Sequence, residues 1–272
     1  MKRIEKTFIR TRSEGRTAFI PFITAGDPDL STTLQLLFCL SDAGADLIEL
    51  GVPFSDPMAD GPTIQAASER ALKNDFGIAE VLEVVARFRE GRDTPVVLFG
   101  YYNPVFSYGE ERLSSEAQEA GVDGFLLVDL PPEEGSNMRS LARAAGMEVI
   151  YLVAPTTPDD RLEEICRVAG GFIYYVCVTG VTGARTEVST TIAADVKRIK
   201  KLSDLPVAVG FGISTPEQAA RVAEHADAVV VGSAIVSVIG KHGDSPRLVD
   251  EVREFAGSLA TGVRQVRKPG LQ

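Results

Sequence analysis

Eight short apolar runs punctuate the chain: AFIPFIT (18–24), DLIELG (46–51), PVVLFGY (95–101), DGFLLVD (123–129), MEVIYLV (147–153), GFIYYVC (171–177), PVAVGFG (206–212) and DAVVVG (227–232). They are rich in Val, Ile, Phe and Tyr, and several lack polar alternation. That pattern predicts parallel strands buried on both faces. Amphipathic stretches lie between the runs. Residues 30–43 place Leu34, Leu36, Leu37 and Leu40 at helical spacing, and residues 78–90 do the same with Ile78, Val81, Leu82, Val85 and Phe88. Residues 215–224 follow Ser214-Thr215-Pro216-Glu217, a helix start with proline in the first turn. Residues 1–14 read as an extra helix with Ile4, Phe8 and Ile9 on one side, and residues 246–260 as a closing helix. The basic tail from Arg264 to Gln272 reads as frayed.

Alternating β and α segments imply a parallel α/β sheet. Eight such pairs favour a closed (β/α)8 TIM barrel with an extra N-terminal helix, one domain spanning 1–272. An open doubly wound sheet is the alternative, but no run is followed by Gly-x-Gly-x-x-Gly with an acidic residue ~20 positions on. Two connections are long. One carries Val52-Pro53-Phe54-Ser55-Asp56-Pro57-Met58-Ala59-Asp60-Gly61-Pro62, the other Thr179-Gly180-Val181-Thr182-Gly183-Ala184-Arg185. In a barrel both fall on the C-terminal face, where active sites sit, and their length suggests a cover.

Composition narrows the function classes. With 44% hydrophobic and 24% charged residues the chain resembles an ordinary globular protein, which excludes wholesale disorder. A net charge of −10 argues against a nucleic-acid or anionic-membrane surface, yet leaves room for a small phosphorylated ligand held by backbone amides. Cys39, Cys166 and Cys177 lie in apolar settings without Cys-x-x-Cys, and read as buried free thiols. With His225 and His242 the only histidines, no metal site is expected. The N-terminus shows no signal-like apolar core, and no run is long enough to span a membrane, so a cytoplasmic protein is expected.

Glu49 ends a strand that should be buried. A desolvated carboxyl binds its proton more tightly, which suits proton transfer near neutral pH; the competing reading is a structural ion pair. Asp60 follows eleven positions on, either across the barrel mouth from Glu49 or capping its own Asp-Gly turn. Asp56 before Pro57 invites the same turn reading, and Asp129 at the end of the fourth run is either a further site candidate or a loop-capping residue. Gly210-Phe211-Gly212-Ile213-Ser214 and Gly232-Ser233-Ala234 follow the seventh and eighth runs, where barrels commonly bind phosphate on backbone amides; Gly183 offers a third such turn. No lysine falls inside a run, which disfavours Schiff-base chemistry.

Seven segments in order, PFSDPMADGPTIQAASERAL (53–72) most specifically, then FIPFITAGDP, YYNPVF, GFLLVDLPPEE, GVTGAR, VGFGIS and VVGSAIV, resemble the tryptophan synthase alpha subunit family over nearly the whole chain. The resemblance implies retro-aldol cleavage of indole-3-glycerol phosphate to indole and glyceraldehyde 3-phosphate, in tryptophan biosynthesis. It implies Glu49 as general acid/base and Asp60 as the second catalytic carboxylate. It implies Phe22, Tyr101 and Tyr174 in the indole pocket, with Thr182 in a mobile loop over the substrate. Gly183, Gly212, Gly232 and Ser233 match the phosphate site, and Asp56 the loop that signals to the partner. The implied partner is a beta subunit in an alpha2-beta2 heterotetramer. Pyridoxal phosphate is expected on that subunit, and no cofactor on this chain. One departure is Cys177-Val178-Thr179, where some relatives carry Ser-Arg-Ser. The alternatives are another phosphate-binding barrel enzyme, such as an isomerase or epimerase, and a catalytically silent partner subunit.

Overall fold

The computed structural model describes residues 1–177, 185–210, 212–243 and 245–266, with 185–190 described through their backbone alone. In chain order the elements are α1 (Arg3–Ser13), β1 (Ala18–Thr24), α2 (Leu30–Asp42), β2 (Ile48–Gly51), α3 (Pro62–Ala71), α4 (Ile78–Arg89), β3 (Val96–Gly100), α5 (Tyr102–Tyr108), α6 (Glu110–Ala120) and β4 (Gly124–Leu127). They continue with α7 (Ser136–Ala144), β5 (Glu148–Val153), α8 (Asp159–Val168), β6 (Ile173–Val176), α9 (Arg185–Lys200), β7 (Val207–Gly210), α10 (Pro216–Ala223), β8 (Ala228–Val231), α11 (Ser233–His242) and α12 (Leu248–Gln265). Every strand pairs in parallel with its sequence neighbours, and β1 pairs with β8 to close the barrel.

The missing polar alternation in the strands now has its cause. Successive side chains point to opposite faces, and both faces are covered. Ile20, Leu47, Val97, Leu126, Ile150, Phe172, Ala208 and Ala228 fill the barrel interior. Their alternates, among them Phe19, Ile48, Leu98, Phe125, Val149, Ile173, Val207 and Val229, pack under the helices. The extra helix α1 plugs the N-terminal end, because Ile4 and Phe8 join the interior cluster and Phe8 meets Phe172 at 5.8 Å between ring centroids. Arg10 and Arg16 converge on buried Asp46 at 2.7–2.8 Å, tying α1 and the entry to β1 to the start of β2.

Three sequence expectations change. The closing helix runs to Gln265 rather than 260, because Leu259 and Val263 are buried and Arg264 donates to the Gly44 carbonyl at 2.9 Å. The frayed-tail reading therefore fails for Arg264 and Gln265, and residues 267–272 lie outside the described residues. The long connection after β2 holds an unanticipated helix, α3, which starts with Pro62 at its first turn. Of the three thiols, Cys39 and Cys177 are buried, whereas Cys166 is only half-buried. No described helix is long and apolar enough to cross a membrane.

Candidate active site

Register places Glu49 of β2 beside Phe22 of β1 and Val97 of β3. Its side chain points into the barrel at the C-terminal end and is fully buried. Neither carboxyl oxygen has a hydrogen-bond partner among the described residues. Burial without a partner pushes the Glu49 carboxyl up to about 8. Near neutral pH this group carries a proton it can give away, and the ion-pair reading left open by the sequence is not what the fold adopts.

Asp60 comes from the loop between β2 and α3 and is half-buried. Tyr101 donates its hydroxyl to Asp60 Oδ2 at 3.0 Å, and that hydroxyl accepts the Ala59 N–H at 2.9 Å. Gln65 Nε2, on α3, donates to the Asp60 carbonyl at 2.8 Å. Burial raises the Asp60 carboxyl above its ordinary value, and the Tyr101 hydroxyl pulls it back down.

Both carboxyls line one cavity of about 620 Å³ at the C-terminal mouth. Phe22, Ile64, Phe99, Val128, Leu152 and Tyr174 form its apolar wall, with Phe22 and Phe99 edge to face at 5.2 Å. Cys177 also lines it. Burial, and then the nearby Glu49 charge, holds the Tyr174 hydroxyl protonated well beyond its ordinary range. Gly210 on β7 makes room for that hydroxyl, since a Cβ there would lie 2.3 Å from the Tyr174 oxygen. Gly210→Ala is therefore expected to push Tyr174 into the cavity, raising KM for the substrate at least ~10-fold while thermal stability falls only modestly. Steady-state kinetics beside a melting curve checks this, and an unchanged KM would show the cavity to be more plastic than its packing implies.

Another part of the rim is made of small residues. Gly212, Ser214, Gly232, Ser233 and Ala234 line the cavity there. Two helices begin nearby, and they differ. At α10, the Ser214 and Thr215 amides already donate to Gln218 Oε1, so that N-terminus is capped by its own chain. At α11 the cap residue is Gly232, which offers no side-chain cap; the Ile235 amide returns to the Gly232 carbonyl, while Ser233 and Ala234, whose amides make no described hydrogen bond, line the cavity. An anion is favoured at the second position by the aligned peptide dipoles and free N–H groups.

The other sequence candidates are distributed as follows. Phe22, Tyr174, Gly212, Gly232 and Ser233 stand on the cavity with both carboxylates. Tyr101 does not line it; its ring lies against Phe54 and its hydroxyl against Asp60. Asp56 is exposed on the same loop, bonded to the Ser55 hydroxyl. Asp129 accepts the Tyr102 N–H at 2.7 Å and caps that neighbouring loop, in line with the loop-capping reading. Thr182 and Gly183 lie outside the described residues. Sequence reasoning missed Ile64, Phe99, Val128, Leu152 and Gln65. Phe99 repeats the period of two set by Val97 in β3, a signal that becomes specific only once the register with Glu49 is known. A larger hollow of about 810 Å³ opens at the far end of the barrel beside α1, but it touches neither carboxylate, and its Arg3 and Arg89 are bonded to Asp123.

A closed parallel barrel that brings two carboxyls, an apolar wall and an open helix N-terminus to its C-terminal mouth defines a barrel enzyme for a small, partly aromatic, anionic substrate. The family model for the tryptophan synthase alpha chain matches residues 8–264. The chain is 51% identical over 267 residues to the tryptophan synthase alpha chain of Geotalea uraniireducens, covering 98% of this chain and 99% of that one. It is similar to the crystal structure of the Legionella pneumophila tryptophan synthase subunit alpha, with TM-score 0.90, 40% identity and coverage of 98% and 100%. It is also similar to a chain of the tryptophan synthase complex from Pyrococcus furiosus, with TM-score 0.82, 40% identity and coverage of 91% and 99%. The chain belongs to the tryptophan synthase alpha chain family.

Proposed function

We infer that this chain is the lyase that cleaves indole-3-glycerol phosphate to indole and glyceraldehyde 3-phosphate in tryptophan biosynthesis. Family membership supports the reaction, and the single observation that carries the mechanism is the buried, unpartnered, proton-holding Glu49 at the cavity floor. The apolar wall suits the indole ring. The α11 N-terminus with Gly232 and Ser233, on the same cavity, suits the phosphate.

The bonds then account for themselves. Glu49 gives its proton to indole C3, making an indolenine whose C=N accepts electrons. The hydroxyl on the adjacent glycerol carbon loses its proton to Glu49 as its oxygen becomes the aldehyde. The C–C bond breaks, its electron pair restores the indole ring, and Glu49 ends as it began. Asp60 accepts a hydrogen bond from the indole N–H, where positive charge develops. Each step is carried by a side chain, so the reaction as written calls on no cofactor from this chain.

The same reading takes the protein to the cytoplasm and to a beta subunit, in an alpha2-beta2 assembly that carries pyridoxal phosphate on the partner. Exposed apolar groups support a docking face at the C-terminal mouth: Met58 is 93% and Phe106 68% exposed, on the connections after neighbouring strands. Asp56 lies on the first of these and suits a signal between the subunits. The test is release of indole from indole-3-glycerol phosphate by the purified full chain, alone and with a beta subunit. Turnover supports the reading. Absence of turnover in both mixtures, with the fold intact, overturns it and leaves a silent partner subunit or a barrel enzyme for a different phosphorylated substrate.

A further inference from the structure

Tyr101 sits between β3 and α5 with only 6% of its surface exposed. Its ring meets Phe54 near the start of the β2–α3 loop, with centroids 5.3 Å apart. Its hydroxyl meets Ala59 and Asp60 at the end of that loop, at 2.9 and 3.0 Å. One side chain therefore holds both ends of the segment that presents Asp60. A phenol has a single proton to give. The Ala59 N–H occupies an acceptor position on the oxygen, which leaves the proton aimed at Asp60 Oδ2. A carboxylate accepts such a bond better than a carboxylic acid does, so the bond favours the ionised form. Gln65 grips the Asp60 main chain alone, and cannot choose the orientation of the carboxylate.

We propose that Tyr101 is a positioning residue for the reaction, orienting the Asp60 carboxylate and keeping it ionised while Glu49 across the cavity keeps its proton. This rests on the reading of Asp60 as the partner of the indole N–H. Other titratable groups around Asp60 do not take over this role among the described residues. Glu49 on β2 and Tyr174 on β6 share the cavity, and Asp56 on the same loop is bonded to Ser55. No described ion pair reaches Asp60, and Gln65 on α3 is neutral. Burial, with help from the Asp60 charge, holds the Tyr101 phenol up to about 12, so it remains a donor throughout the working range.

The test compares Tyr101→Phe with Asp60→Asn and Gln65→Ala in the full chain. Two quantities are read: the pH profile of kcat/KM for indole release, and the NMR titration of the Asp60 carboxyl carbon, assigned by its loss in Asp60→Asn. Phenylalanine keeps the ring against Phe54, so the melting temperature should move by only a few degrees. The expected result is an acid limb and an Asp60 titration both raised by about one pH unit, with roughly tenfold lower kcat/KM below the limb. The basic limb stays in place, and Gln65→Ala leaves the acid limb where it is. An unmoved Asp60 titration overturns the proposal, as does an activity loss equal at every pH. If Asp60→Asn keeps both its turnover and its acid limb, the mechanistic reading of Asp60 falls, while the carbon titration still decides whether Tyr101 governs that proton.

Discussion

Glu49→Gln is expected to lower kcat for indole release by ~10²–10⁴-fold while leaving the barrel folded. The size follows from losing the proton donor and acceptor together. Glutamine fills the same volume, is neutral like the protonated acid it replaces, and neither gives nor takes a proton at these pH values. Substrate affinity should change far less than turnover, which a rapid-binding measurement separates from kcat. The parent enzyme should itself lose kcat/KM as pH rises through about 8, where Glu49 gives up its proton. Stability should fall with rising pH as well, beginning at a lower pH than the loss of activity. The folded carboxyl holds its proton to about 8, whereas an unfolded glutamate releases it near 4.5. Between those values the folded state binds more protons than the unfolded one, so raising the pH drains stability across that window. Glu49 thus costs the fold most above pH 8, on the order of 3–5 kcal/mol. Urea unfolding at pH 5 and pH 9 should show Glu49→Gln close to the parent at the lower pH and clearly more stable at the higher. Equal stability at both would mean that the carboxyl is solvated in the folded protein, and the catalytic argument from its burial would fall with it.

Asp60→Asn should cost ~10²–10³-fold in kcat, the scale of removing one fixed charge from a developing centre. The amide keeps the shape and can accept from Tyr101, so the loop should hold its place. What disappears is the negative charge opposite the indole N–H. The loss should appear mainly in kcat, because the ring carries its positive charge only on the way to cleavage. A fall confined to KM would make Asp60 a simple binding group.

Much of this protein was legible before any coordinates. The eight apolar runs became eight strands, since a segment buried on both faces needs apolar residues at every position. Ile4 and Phe8 marked α1, though not that it would plug the barrel. Helix α3 was hidden because its start, Gly61-Pro62, reads equally well as the end of a loop. The reach of α12 to Gln265 was hidden because Arg264 looks like a solvent-exposed tail residue until Gly44 is found beside it.

The sequence by itself determined the alternation of strands and helices and the family, and it singled out Glu49 and Asp60 as candidates, because local periodicity and motif order are written along the chain. Only the tertiary structure decided which of those groups meet and in what state. Pairing of β1 with β2 places Phe22 beside Glu49, and closure of β1 onto β8 brings Gly232 up against Phe22. Burial with no partner leaves that carboxyl protonated near neutrality. Tyr101 is turned from the ligand wall onto Asp60, and α11 rather than α10 is left with open amides. Proton affinity and the Tyr101–Asp60 hydrogen bond depend on neighbours distant in sequence, 41 residues apart for that pair, and those neighbours are set by packing.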